Sequence, residues 1–299
     1  MPNDSNAQPV GYEWEVRSKI GLADVTDIIW ANNQWMTVGS GAILVSGDAR
    51  TWKSVYNGAP GILEAVTWSG SHYIAVGANC ILTSPDGLIW TLKSTPFTWY
   101  VAVAASETLA VAIAKSGKIS VSSNLIDWTD KQIGSAGIVS SVLYHPTTPF
   151  VLNDTVVSEG SFILGGGGKY GAFCRTAVGD TFNIVNTSLQ ISDLVTWNSQ
   201  VVLVAHSGIG FLRDSGLVSG GIGALAADHC GDQLVMVGPS GFSATADLNQ
   251  ISNENYRSVP HATGTGVLFR SIACNDNGCV GVGYSGWIVA SPPDRPKSK

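Results

Sequence analysis

The sequence predicts an all-β fold, a seven-bladed β-propeller of four-stranded antiparallel blades whose ring is closed by the N-terminal strand. Three observations carry that prediction. Trp14, Trp52, Trp90 and Trp128 recur every 38 residues, the mark of a chain built from copies of one supersecondary unit. Each unit holds four apolar runs rich in β-branched and aromatic side chains, bounded by turn formers, as short antiparallel strands require. The chain starts on the last run of a unit and finishes on the third, so the two partial units complete each other.

In the first full unit the runs are Val25 to Trp30, Trp35 to Gly39, Ala42 to Ser46 and Thr51 to Val55, separated by Asn32-Asn33, Ser40-Gly41 and Gly47-Asp48. The second repeats the frame with Trp68, Tyr73 to Gly77, Ile81 to Ser84 and Trp90, so that Trp30 to Gly39 and Trp68 to Gly77 are both nine residues. The third gives Leu109 to Ala114, Ile119 to Ser122 and Trp128. The fourth is longer by 16, because Trp128 to Phe182 is 54 residues, and the excess gathers around Pro146 to Gly160. Trp197 and His206, His229 and Gly238, and Cys274 and Gly283 keep the nine-residue interval. The seventh unit stops at Ser291 after three strands, and Tyr12 to Val16, which matches Thr51 to Val55, supplies its fourth. Such closure leaves only short sheet edges. The predicted organisation is an N-terminal extension over 1–11, one propeller over 12–291 and a C-terminal tail over 292–299.

Composition fits one compact domain, with 299 residues, 44% hydrophobic, 13% charged and 35 glycines for turns. A net charge of -6 argues against a nucleic-acid partner, whose phosphates require clustered Lys and Arg. Met1 to Pro9 is polar and has no apolar secretory segment, and no apolar run approaches the roughly 18 residues that span a bilayer. The five cysteines form no zinc spacing, and no metal or cofactor is expected. Cys274 and Cys279 flank the hairpin turn Asn275 to Gly278 and could face each other, although reduced core thiols are the expectation.

A second regularity lies between the third and fourth strands. Ser46-x-Asp48 leads to Trp52, Ser84-x-Asp86 to Trp90, Ser122-x-Asn124 to Trp128 and Thr245-x-Asp247 to Ile251. Asp48 and Asp86, with the four tryptophans, are read as structural anchors: carboxylate and hydroxyl accept hydrogen bonds from turn amides, and the large apolar residue packs down. The motif resembles a shortened Asp-box of sialidase-like and photosystem assembly-factor propellers. The sialidase resemblance implies three arginines for a substrate carboxylate, for which Arg17, Arg257 and Arg270 are available, and a Tyr with a Glu partner. Phe269-Arg270 stands in the last unit, where that family has its first arginine motif near the start. Glu254 is the only Glu after the insertion. Three other strings are discounted. Gly165 to Lys169 lacks the spacing and helix of a phosphate loop and reads as a glycine-rich turn. The Ser-Gly of Gly283-Tyr284-Ser285-Gly286 recurs in four other units and is a turn, not a nucleophile elbow. His145, His206, His229 and His261 fall in different units without metal spacing.

In a propeller, the connections between blades share a face with the second-to-third-strand turns, around the central channel. On that face the sequence places a candidate ligand site of Tyr56, Asn57, Trp99, Tyr100, Lys169, Tyr170, His206 and Tyr284. Aromatics beside Asn, Lys and His suit sugar stacking with hydroxyl hydrogen bonding, and Trp99 and Tyr100 either belong to that site or cap the core. The unit Trp30-x-Asn32-x-x-Trp35-x-x-Val38-Gly39, then Ser46-x-Asp48 and Trp52, resembles the short propeller repeats of bacteriophage tail and receptor-binding proteins over nearly the whole chain. That resemblance implies a virion component assembled in the host cytoplasm, with other tail proteins and a host-surface glycan as partners, and no catalysis. The alternatives are a sialidase-like carbohydrate-active enzyme and a cellular protein-assembly scaffold. The Pro146 to Gly160 insertion is the expected docking element.

Overall fold

The computed structural model describes residues 10–21, 23–132, 139–146, 150–152, 155–157, 160–176, 179–212, 218–219, 224–251 and 258–291. The strands are antiparallel throughout, and the fold is a β-propeller of four-stranded blades. The first full unit is one sheet in chain order, Val25–Ala31, Gln34–Gly39, Ala42–Ser46 and Lys53–Asn57. Ala226–Cys230, Gln233–Val237, Phe242–Asp247 and Val259–Ala262 form a second sheet of this kind. A third joins the two ends of the chain: Phe269–Asn275, Gly278–Gly283 and Trp287–Ser291 take Glu15–Lys19 as their fourth strand, with Glu15 opposite Ala290 and Lys19 opposite Trp287. Gly11 N–H also donates to Ser291 Oγ at 2.7 Å, and Val10 packs on the adjoining core.

Between these lie two six-stranded sheets in place of separate four-stranded ones. Tyr73–Ser84 pairs first with Leu63–Trp68 and then with Thr91–Ser94, and Thr91–Ala105 continues onto Ala110–Ala114. In the first unit Ser40-Gly41 and the Gly58 to Gly61 stretch interrupt the ladder, with Gly41 at φ 78 and Gly58 at φ 147. The corresponding stretches Ala78-Asn79 and Ser94 to Trp99 contain no glycine; Asn79 takes the turn at φ 63, and the ladder continues through both stretches, with Ala78 opposite Trp99. The Gly165 to Lys169 run behaves likewise. Read from sequence as a turn, it lies inside the strand Ser161–Thr176, with a register shift between Gly167 and Lys169. The insertion carries a hairpin of its own, Phe150–Leu152 against Thr155–Val157. Cys274 and Cys279 are register partners and are disulfide-bonded, which corrects the expectation of reduced thiols.

The core lies between sheets, not at the centre of the ring. Val25, Ile28 and Trp35 pack on Val280, Val282 and Ile288 of the last sheet. On their other side Met36, Val38 and Ile43 meet Leu63, Val66 and Tyr73 of the next. The periodic tryptophans stand just before the outermost strands, in the turns. Trp14, Trp90 and Trp128 each donate their indole N–H to the carbonyl three residues back, at 3.0, 3.1 and 3.3 Å. The Ser-x-Asp turns bond as expected: Asp86 Oδ1 accepts from the amides of Leu88 and Ile89 at 2.8 and 2.9 Å and from Ser84 Oγ at 3.0 Å. Asp48 does the same for Arg50, Thr51 and Ser46, and these bonds hold both carboxyls below the usual carboxylate range.

One device repeats at the top of the innermost strands. The register slips by one residue between Val25 and Asp27, Leu63 and Ala65, Tyr100 and Ala102, Val139 and Ser141, Ile191 and Asp193, and Phe269 and Ser271. Each slip is a β-bulge, which leaves one residue unpaired and re-aims its side chain. Opposite three of them stand Gly39, Gly77 and Gly283, whose absent Cβ atoms would strike the carbonyls of Asp24, Ile62 and Leu268. The nine-residue interval seen in the sequence therefore ends on glycine for a steric reason. Gly77→Ala is expected to cost about 1–3 kcal/mol, as overpacking against backbone does, and to lower the melting temperature by several degrees. Gly47→Ala, with nothing within 4 Å of its added Cβ, is expected to leave it unchanged in the same calorimetric scan.

Candidate functional site

The six bulge residues, Thr26, Glu64, Val101, Ser140, Ser192 and Arg270, all line the central channel, a cavity of about 960 Å³. Bulging thus decides which side chains reach the channel mouth. That mouth lies on the face formed by the connections between units and the second-to-third-strand turns, called here the linker face. The opposite face, with the Ser-x-Asp turns and the first-to-second-strand hairpins, is the turn face.

At the mouth Glu64 is the hub. Its side chain is 8% exposed and accepts from Arg270 Nη2 and Trp99 Nε1, both at 3.0 Å. Arg270 also lies over the Tyr284 ring at 5.9 Å, and Lys115 Nζ lies over the Trp99 ring at 4.9 Å. A carboxylate this far buried is held by its two donors, and each aromatic ring presents one face to a cation. Trp99 and Tyr284 remain 43% and 39% exposed, large apolar surfaces fixed in place at a channel mouth.

Deeper in the channel stand three aspartates that the sequence reading did not select. Asp27 accepts from the amides of Ile28 and Val66 at 2.9 and 2.8 Å and from Ser271 Oγ at 2.6 Å. Asp193 accepts from the amides of Leu194 and Ala227 at 2.8 and 2.9 Å. Asp228 accepts from His229 and Cys274 at 2.8 and 2.7 Å. Each carboxylate therefore ties its own innermost strand to the innermost strand of the next unit. Burial pushes Asp27 up to about 6 and Asp193 up to about 7, against the pull of these hydrogen bonds, and it raises Asp228 as well. A signal for two of them was present: Thr26-Asp27 and Ser192-Asp193 occupy the same register. Thr26 Oγ1 and Ser192 Oγ each donate to the carbonyl twelve residues on and to the next unit's chain, at Leu63 and Ala224.

The eight residues proposed from sequence separate. Trp99, Tyr284 and His206 stand at the mouth, His206 exposed and lining the channel. Tyr100 is buried, its hydroxyl 2.8 Å from Ser120 Oγ, so it belongs to the core and not to an exposed site. Tyr56 is half-buried against the Met36 and Leu63 cluster, and Asn57 is exposed at the end of the outermost strand of its sheet. Lys169 and Tyr170 have backbone in Ser161–Thr176, opposite Asn186 and Val185, and their side chains lie outside the described residues. Of the arginines of the sialidase resemblance, Arg17 and Arg270 do not converge. Arg17 lies on the outermost strand Glu15–Lys19 and Arg270 on the innermost Phe269–Asn275, three strand spacings or about 14 Å apart. Arg257 and Glu254 fall outside the described residues. Among the described residues no group of three or more His, Cys, Asp or Glu side chains is arranged to hold a metal ion.

Solved structures share this fold. YCF48 from Cyanidioschyzon merolae matches with TM-score 0.62 at 18% identity, over 93% of this chain and 98% of that one. The WD40 β-propeller domain of Doa1 matches with TM-score 0.70 at 13% identity, over 94% and 98%. A structure of YCF48 bound to D1 peptide matches with TM-score 0.65 at 14% identity, over 94% and 97%. No family model and no curated protein matches the sequence. At these identities the likeness is one of fold.

The raised carboxyls give a pH dependence of definite sign. The ordinary value for these groups is 3.8, so between about pH 4 and pH 7 the folded chain binds more protons than the unfolded one, and stability falls as pH rises. Asp48 and Asp86, shifted down, act in the opposite sense, losing their contribution as pH falls below about 4. The melting temperature of the wild type is expected to decline from pH 4 to pH 8, and Asp193→Asn is expected to flatten that slope while lowering the whole curve. A slope that Asp193→Asn leaves unchanged would mean that Asp193 is ionised throughout.

Proposed function

We propose that this chain is a non-catalytic binding module of a larger assembly, which seats a partner at the channel mouth on the linker face. The observation that carries this reading is the division of labour among its polar groups. Asp27, Asp193 and Asp228 are spent on main-chain amides of neighbouring units, and Glu64 on Arg270 and Trp99. Among the described residues that leaves no carboxylate pair flanking a reactive position, as most glycoside hydrolysis requires, and no Glu free to partner a tyrosine nucleophile at the mouth. What the described residues of the mouth do offer is binding surface: two exposed rings held rigid by cations, with His206 beside them.

The proposal includes a ring of seven blades. Each six-stranded sheet is then two units, since Tyr73–Ser84 supplies both the second and third strands of one and Thr91–Ala105 the fourth of one and the first of the next. It also retains the placement that the resemblance to phage tail repeats implies, a virion component with a tail or host-surface partner. A protein partner is the first reading. The YCF48 propeller, alike in fold, is described bound to a D1 peptide, so a peptide segment has a precedent on this architecture. A host glycan is the second, favoured by the exposed faces of Trp99 and Tyr284.

The test is binding of the whole chain to a glycan array, to intact bacterial cells and to tail-protein peptides, with product analysis of every bound glycan. Trp99→Ala and Tyr284→Ala are expected to weaken binding at least tenfold, about 1.4 kcal/mol or more. Tyr284→Ala is expected to do so without lowering the melting temperature, and Trp99→Ala with the modest drop that follows from taking one of the two donors from Glu64. Cleavage of a bound glycan would overturn the non-catalytic reading. Binding that neither substitution affects would move the site off the linker face.

A further inference from the structure

The charges of this chain are sorted between its two faces. On the turn face the Ser-x-Asp turns present Asp48, Asp86, Asp127 and Asp247, all exposed. The first-to-second-strand hairpins add Glu107, Asp232 and Asp276, also exposed. Against these seven carboxylates the described residues of that face set Arg50, Lys53 and Lys93, and Arg50 is already paired with Glu15 at 3.1 Å. Among the described residues the linker face has a small excess of cations, with Lys19, Lys115, Lys118 and Arg270 against Asp24, Glu64 and Asp130, Arg270 being paired with Glu64 at 3.0 Å and Lys118 with Asp130 at 3.1 Å. Each of these four described cations lies over an aromatic ring, at Trp287, Trp99, Tyr100 and Tyr284. The described residues thus make the turn face strongly acidic and the linker face weakly basic and aromatic.

Apolar residues follow the same axis. On the turn face Ile89 is 74% and Ile126 71% exposed, with Leu88 beside them. Lys93 Nζ donates to the Ile126 carbonyl at 3.2 Å, which joins the second and third units at this rim. The turns do not require these side chains: Asp86 holds Leu88 and Ile89 by their amides, and in the first unit the same positions are Arg50 and Thr51. On the linker face the exposed apolar residues of the same two units are Ile62 and Trp99.

We infer that copies of this chain stack head to tail, the acidic turn face of one on the basic linker face of the next, with Leu88, Ile89 and Ile126 of the upper copy over Ile62 and Trp99 of the lower. The occupant follows from complementarity within the molecule: the two faces are opposite in charge and carry their apolar residues in the same sector. Such a contact is heterologous and does not close on itself, so addition continues along one axis. This goes beyond the partner reading above, and in a stack only the terminal copy leaves its linker face open.

The experiment is sedimentation velocity on the full chain over an approximately hundredfold range of concentration, at low and at high salt. The wild type is expected to form a series of species larger than a dimer, weakened by salt because attraction between exposed charges is screened. Lys115→Glu spoils the linker face alone, and the double variant Ile89→Asp, Ile126→Asp spoils the turn face alone; both changes are at exposed positions, and unchanged circular dichroism checks the fold. Each variant by itself is expected to be monomeric. Mixed in equal amounts, they are expected to give one-to-one dimers and nothing larger, because only one intact contact can form. A wild type that stays monomeric, that stops at a dimer, or whose association the variants leave intact overturns the stack. None of these outcomes bears on partner binding, which is read separately on the array and with peptides.

Discussion

The bulge at the head of the innermost strand, and the glycine that makes room for it, set the terms for the rest of this propeller. Where the second strand comes alongside, the slipped backbone leaves no space for a Cβ, and Gly39, Gly77 and Gly283 stand there. The extra residue turns towards the channel while the strand below it keeps its apolar side chains in the packing between sheets. One local irregularity therefore serves two ends. It preserves a close-packed interface from sheet to sheet, and it lifts one chosen side chain per unit to the mouth of the channel. Glu64 and Arg270 meet there because both occupy that position.

Much of the fold was legible because the repeat is short and its punctuation strong. The tryptophans, the Ser-x-Asp turns and the nine-residue interval locate the strands, and the orphan run at each end announces the shared sheet. The grouping of strands was less legible. It depends on whether a connection contains glycine, and Ala78-Asn79 reverses the chain without it, Asn79 taking φ 63. The site was only half visible. Strict alternation places side chains by parity, and a bulge shifts the parity by one. Tyr100 sits at the slip between Tyr100 and Ala102, and its side chain falls on the buried side. Asp27 and Asp193 went unselected because an isolated aspartate in an apolar run has no spacing to mark it; only the hydroxyl before each, in matching register, sets them apart.

The buried carboxylates also bear on how the ring holds together. Packing between sheets is non-directional and would tolerate sliding. A carboxylate that accepts one amide from its own strand and another from the next fixes the two at a set height. Thr26 and Ser192 reinforce this from the neighbouring position. Such staples are costly to desolvate, as the raised values of Asp27 and Asp193 attest, and their place is geometric definition more than net stability.

Closure has a consequence for the order of events during synthesis. The strand Glu15–Lys19 finds its partner only when Trp287–Ser291 has been made, and the bond from Gly11 to Ser291 spans 280 residues. Every other described sheet is completed by its own neighbourhood of chain, apart from the staples between units. The nascent protein therefore passes through an open arc with one unpaired edge at each end, and loop closure over so long a separation is slow. Until Trp287–Ser291 emerges, those two edges are exposed and adhesive, so that strand acts as a latch whose timing decides whether the arc closes on itself or on a neighbour.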